Sequence, residues 1–177
     1  MTANTFEVIQ YKNFIPQKDL FHFECDMEEG LYRHWVVQYP NHAFAIFAAL
    51  ITFYGDLITE EDVIYFVNMG INLNVITDAF PSEYGFTSAI IFACENGFKY
   101  LVQYLIKYGA DVNLKNLNGI SPLESVLMGY HKNLTKECVE ILLESGANNR
   151  VKKSVMENYR NKYGQSLYLK TVLNVYC

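Results

Sequence analysis

Apolar residues recur along this chain at the helical period, and each run stops at a glycine. Leu101, Val102, Leu105 and Ile106 stand at i, i+1, i+4 and i+5 and form one stripe of a helix. Gly109 follows the last periodic residue, where a left-handed cap favours a residue without a Cβ. The same ending closes the run Val63, Ile64, Phe66, Val67 at Gly70, and the run Cys138, Val139, Ile141, Leu142, Leu143 at Gly146. Each run follows a shorter apolar segment: 45–50, 88–97, and one opened by Ser121-Pro122-Leu123. The pattern predicts antiparallel helix pairs with second helices near 62–69, 100–108 and 137–145. Thr59 and Asp62 have capping-box spacing, with Asp in place of Glu, and open the first of these.

The three glycines lie 39 and 37 residues apart. Residues 83–113, EYGFTSAIIFACENGFKYLVQYLIKYGADVN, contain the clearest unit. Its first segment resembles the TPLH-x-AA-x-x-G helix of ankyrin repeats, and 101–113 resembles the VV-x-x-LL-x-x-GADVN helix and finger. Asn116 to Leu123 similarly matches the D-x-x-G-x-TPL opening of a further repeat. The resemblance implies an all-α solenoid of stacked antiparallel helix pairs. An ankyrin period is about 33 residues, so extra residues are expected between the paired helices, at 53–61 and 131–137. The second repeat departs from the pattern with Ser88-Ala89 for Thr-Pro and Ile91 for His, and the third has Glu124 at the His position.

One domain is expected over 1–177, with repeats at 41–76, 82–114 and 115–151. Residues 1–40 read as a non-repeat N-terminal cap, because Phe6, Val8, Phe14, Ile15, Leu20, Phe21 and Phe23 are too apolar for a tail. Within that cap a helix is expected over 26–39, ended by Pro40-Asn41. Residues 152–177 read as a degenerate repeat that caps the C-terminal end, with helices over 154–160 and 167–175. A finger carrying Pro81 is expected at 77–85.

Composition narrows the function classes. With 51% hydrophobic residues the chain is long and apolar enough for a real core. No apolar run reaches the length of a membrane span, and no basic-then-apolar leader is visible, which leads to a cytoplasmic expectation. Cys25, Cys94, Cys138 and Cys177 have no ligand spacing, and Cys94 and Cys138 fall on core positions of the helices. Residues 1–80 carry eleven Asp/Glu against three Lys/Arg, whereas 81–177 carry eight against eleven. The overall sign disfavours phosphate neutralisation, so no nucleic-acid partner is expected, and the acidic half suits a basic protein.

No GxSxG, HExxH, P-loop, GxGxxG or EF-hand pattern occurs, and His22, His34, His42 and His131 pair with no Cys or carboxylate at ligand spacing. Neither catalysis, a cofactor nor a metal is expected. Glu60, Glu61 and Asp62 read as a helix start. The resemblance instead implies a partner against the fingers and first-helix ends. Carried over by position, those sites are Tyr84, Thr87, Glu95, Asn96 and Tyr108; Leu117, Asn118, Ile120 and Met128; and Leu50, Ile51 and Met69, with Glu60 and Glu61 steering association. A small, doubly capped ankyrin protein of this kind resembles bacterial immunity proteins, which block one toxin. The expected partner is then a single basic toxin or effector bound by a monomer. The alternative is a viral or bacterial effector that engages a host protein; an enzyme or nucleic-acid binder built on the repeats is a third, remoter reading.

Overall fold

The computed structural model describes residues 15–129 and 132–176. Its helices are α1 (Leu20–Glu28), α2 (Arg33–Gln38), α3 (Ala43–Tyr54), α4 (Glu60–Asn68), α5 (Ala89–Asn96), α6 (Lys99–Lys107), α7 (Pro122–Met128), α8 (Lys132–Glu144), α9 (Lys153–Tyr163) and α10 (Leu167–Val172). Two short strands, β1 (Arg150–Lys152) and β2 (Asn174–Tyr176), pair in parallel.

The helices stack in two rows. In one row α3 packs on α5, α5 on α7 and α7 on α9; in the other α4 packs on α6 and α6 on α8. The sequence explains the difference between the rows. α3 is apolar nearly all round and buries Ile46, Phe47, Ala48, Ala49, Leu50 and Ile51, and α5 is buried from Ala89 through Glu95. A helix without a polar face belongs between layers. α6 is instead amphipathic, burying Leu101, Val102 and Leu105 and leaving Tyr100, Gln103 and Lys107 exposed. Each predicted stripe thus has a buried centre, Leu101, Val102 and Leu105 here and Val63 and Phe66 in α4, with Ile106, Ile64 and Val67 half-buried at its margin.

Gly70, Gly109 and Gly146 adopt φ of 82°, 100° and 88°, the left-handed values that the C-terminal caps require. An asparagine after each of the first two caps ties the repeats together. Asn74 donates from Nδ2 to the Gly109 carbonyl at 3.1 Å, and its Oδ1 accepts from the Asp111 amide at 2.8 Å. Asn113 repeats this with the Gly146 carbonyl at 3.1 Å and the Asn148 amide at 2.7 Å. One side chain thus satisfies a helix-end carbonyl and a loop amide of the next repeat, groups that helix termini leave without intrahelical partners.

Four expectations need correction. The helix expected at 26–39 is two helices, because Gly30 takes φ 73° and turns the chain between α1 and α2. This turn sets Trp35 to donate to Asp26 at 2.9 Å and Tyr32 to stack on Phe66, rings 5.3 Å apart. The extra residues between paired helices are mostly helical: Phe53 and Tyr54 finish α3, Glu60 and Glu61 begin α4, and 132–137 lengthen α8. Among the described residues of these insertions, 55–59 lie outside the helices in a turn held by the Leu57 and Ile58 amides on the Tyr54 carbonyl, with Gly55 so close to the Phe98 ring and the Ile51 carbonyl that a Cβ would collide. At the C-terminal end, 167–175 does not continue as one helix. Leu173 is extended (ψ 139°), and Asn174 donates to the Asn149 carbonyl at 2.8 Å, which starts β2 beside β1. The expected finger at 77–85 folds inward, as described below. Phe6, Val8, Phe14, His131 and Cys177 lie outside the described residues.

The altered signature positions of the third repeat find partners. Glu124, where the family has His, is buried, and its carboxylate accepts from the Ser121 amide at 3.2 Å and the Lys152 amide at 3.1 Å. It thereby closes the α7 capping box and holds β1. Ser125 reaches back to the Ile91 carbonyl at 2.8 Å and joins α7 to α5.

Candidate functional site

The backbones of Thr77 and Thr87 exchange hydrogen bonds at 2.9 and 2.8 Å and close a loop over 78–86. In place of a projecting finger, this loop lies as a strap along the first-helix row. Phe80 is buried between Phe44 of α3 and Phe92 of α5, with ring centroids 6.3 and 5.3 Å away. Ser82 donates to Glu95 Oε2 at 2.6 Å, and the Glu83 amide donates to Glu95 Oε1 at 3.2 Å. The Tyr84 hydroxyl donates to the Met128 carbonyl at the end of α7, at 3.3 Å. The strap crosses α3, α5 and α7 in that order.

Beyond the strap the next finger is rigid. Asn116 Oδ1 accepts from the amides of Asn118 at 3.0 Å and Ile120 at 2.9 Å, a loop folded around one side chain. Asn118 Nδ2 then donates to the Tyr84 carbonyl at 2.7 Å, so the strap end and the finger are neighbours. Two large apolar side chains stand out from these neighbours: Phe86, 48% exposed, and Leu117, 72% exposed.

The candidate contact residues therefore divide. Leu117, Asn118 and Met69 are exposed, and Tyr84, Asn96, Tyr108 and Met128 are partly exposed. Leu50 and Ile51 are buried in α3, Thr87 lies under the strap junction, and Ile120 packs beneath its finger. Their reading as exposed positions is corrected: Leu50 and Ile51 sit on a helix that is apolar nearly all round and packs against α2, α4 and α5, and Thr87 and Ile120 are covered by their own loops. Glu95 is likewise covered, by the strap. Burial pushes its carboxyl above the ordinary range, opposed by the Ser82 and Glu83 hydrogen bonds. Phe86 was missed, although it stood two residues beyond Tyr84, because its loop also holds Phe80 and nothing in the sequence separates the buried ring from the exposed one.

Glu60 and Glu61 sit in the first turn of α4, with the Thr59–Asp62 capping box formed in both directions. Glu60 is engaged by Lys107 and by the Tyr108 hydroxyl, and these two donors hold its carboxyl below the ordinary range. Glu61 is exposed. Among the described residues no His/Cys/Asp/Glu group could hold a metal ion, and no helix is long and apolar enough to cross a membrane. Cys94 and Cys138 are buried, and burial raises both thiols, Cys138 to about 11, so each stays protonated as a small core residue.

A family model of ankyrin repeats, in three copies, matches residues 35–153. No curated protein matches the chain.

Proposed function

The chain belongs to the ankyrin-repeat family, a family of protein-protein interaction modules, and we propose that it is a non-catalytic binder that neutralises one protein partner in the manner of an immunity protein. The observation that carries this reading is the paired exposure of Phe86 and Leu117 on loops locked together by Asn118. Aromatic residues are enriched at protein contacts, and side chains presented on loops already held in place lose little conformational freedom on docking. Tyr84, partly exposed, and Asn118, exposed, flank them and are joined by a hydrogen bond. The acidic first half of the chain favours a basic partner, such as a nuclease toxin, through faster encounter.

The test is affinity capture from the source cell, followed by calorimetry with the captured protein. A basic toxin encoded beside this chain, bound one to one and inhibited, supports the reading. A host-cell protein in its place supports the effector alternative. Leu117→Asp combined with Phe86→Asp should abolish capture without altering the helical circular dichroism; undiminished capture would place the contact elsewhere.

A further inference from the structure

The strap over 78–86 has the form of a bound peptide. From Phe80 to Gly85, side chains alternate between the helices and solvent: Phe80, Ser82 and Tyr84 face inward, whereas Pro81, Glu83 and Gly85 are exposed. Each inward residue meets its own receptor. Phe80 enters an aromatic slot between Phe44 and Phe92, Ser82 meets the Glu95 carboxylate, and Tyr84 reaches the Met128 carbonyl. A tight turn at Pro81, with the Ser82 amide donating to the Phe80 carbonyl at 2.8 Å, presents the ring and the hydroxyl together. Closure leaves a residual cost, because the hydroxyls of Thr87 and Ser88 at the strap's root are buried without a hydrogen-bond partner. Glu95 is also kept from water there.

We propose that the trough formed by Phe44, Phe92, Glu95 and the end of α7 is a peptide-binding site, occupied in cis by residues 79–84. Its ligand class is a short segment with an aromatic ring, a turn-forming residue and a hydroxyl side chain in succession. A partner segment with that pattern displaces the strap, which re-enters the trough when the partner leaves. Linkage within one chain gives the strap a high effective concentration, so a free peptide competes poorly until the strap is weakened. Phe86 ends this strap, and Asn118 ties the strap to the Leu117 finger, so displacement of the strap would also move one member of the exposed pair; the trough itself is formed by α3, α5 and α7 and is probed with no docked partner.

The probe is the synthetic peptide DAFPSEYGF, the chain's own residues 78–86, carrying an N-terminal fluorophore and read by anisotropy. Phe80→Ala protein, verified as folded by circular dichroism, should bind it at least tenfold more tightly than wild type. The same peptide with Phe80→Ala should bind neither protein. A second protein variant, Ser82→Gly with Tyr84→Gly, keeps Phe80 in the core and should also bind the parent peptide more tightly than wild type. Amide shifts on binding should centre on Phe44, Phe92 and Glu95. No saturable binding to the folded variants overturns the proposal, as does equal binding of the two peptides. Wild-type binding as tight as that of the variants would show that the strap does not occupy the site.

Discussion

The Tyr108 hydroxyl donates to Glu60 Oε1 at 2.5 Å, and Lys107 engages the same oxygen, so the end of α6 is fastened to the start of α4. A carboxylate suited by position to steer a partner is thus already used inside the repeat stack. Glu60→Lys should lower the melting temperature, with a loss that shrinks in high salt because Lys107 is exposed and Glu60 only half-buried. Glu61→Lys should leave the melting temperature unchanged and slow association with the captured partner at low salt. Equal melting shifts for the two variants would contradict this division. The two donors lower the carboxyl's folded value. Its contribution is therefore complete above the ordinary carboxylate range and is lost as pH falls through the lowered value.

Two glycines should fail for different reasons. A Cβ at Gly109 would meet nothing within 4 Å, but its φ of 100° disfavours any L side chain. Gly109→Val should destabilise by roughly 1 kcal/mol or more. Gly129 has φ −62°, open to every residue, yet its Cβ would collide with the Glu95 carbonyl oxygen. Gly129→Ala must push α7 from α5 and should cost about 1–3 kcal/mol. Urea denaturation of both variants, each compared with wild type, measures these losses; an unchanged midpoint for either would refute its assigned cause.

The repeat body was legible because its signals are local. A stripe at the helical period, a glycine at its end and an asparagine four residues on, as in 105–113, occupy one short window. The strap was not legible for the opposite reason. Phe80 and Ser82 read as ordinary turn residues until Phe44, Phe92 and Glu95 are brought against them from two helices. Likewise Asn174-Val175-Tyr176 gave no sign of a strand, since its partner 150–152 lies a helix hairpin earlier. The burial of Leu50 and Ile51 follows from α3 being apolar all round, a feature visible in the sequence but overridden by positional analogy with the family.

The start of α4 offers a graded test of capping. Thr59 accepts from the Asp62 amide at 3.3 Å, and Asp62 accepts from the Thr59 amide at 2.9 Å. Thr59→Ala removes one half of the box and should cost about 1 kcal/mol. Asp62 has a second duty, accepting from the buried Tyr32 hydroxyl at 2.6 Å. Asp62→Ala removes the other half and also strands that hydroxyl, adding about 1–3 kcal/mol. Adding Tyr32→Phe to Asp62→Ala should recover part of the loss. Chemical denaturation of the three variants decides this, and no recovery in the double variant would mean that the hydroxyl is satisfied elsewhere.

Glu95 makes the strap's attachment sensitive to pH in a direction opposite to Glu60. Burial raises its folded value above the unfolded one, despite the donors from Ser82 and Glu83 and aided by the nearby Glu83 charge. The folded protein therefore holds a proton more readily than the unfolded chain, and stability falls as pH rises through the raised value. Below the unfolded value both states are protonated and the dependence vanishes. Glu95→Gln has no such titration, so the stability of wild type relative to Glu95→Gln should increase as pH is lowered from neutral and then level off. Ser82→Ala removes the hydroxyl that favours the charged form, which should move this window to higher pH. Urea midpoints between pH 4 and 8, on the order of the ordinary carboxylate-to-neutral interval, measure both effects. A Ser82→Ala window displaced to lower pH would show that the hydroxyl does not stabilise the carboxylate and that the strap is held at Glu95 by other contacts.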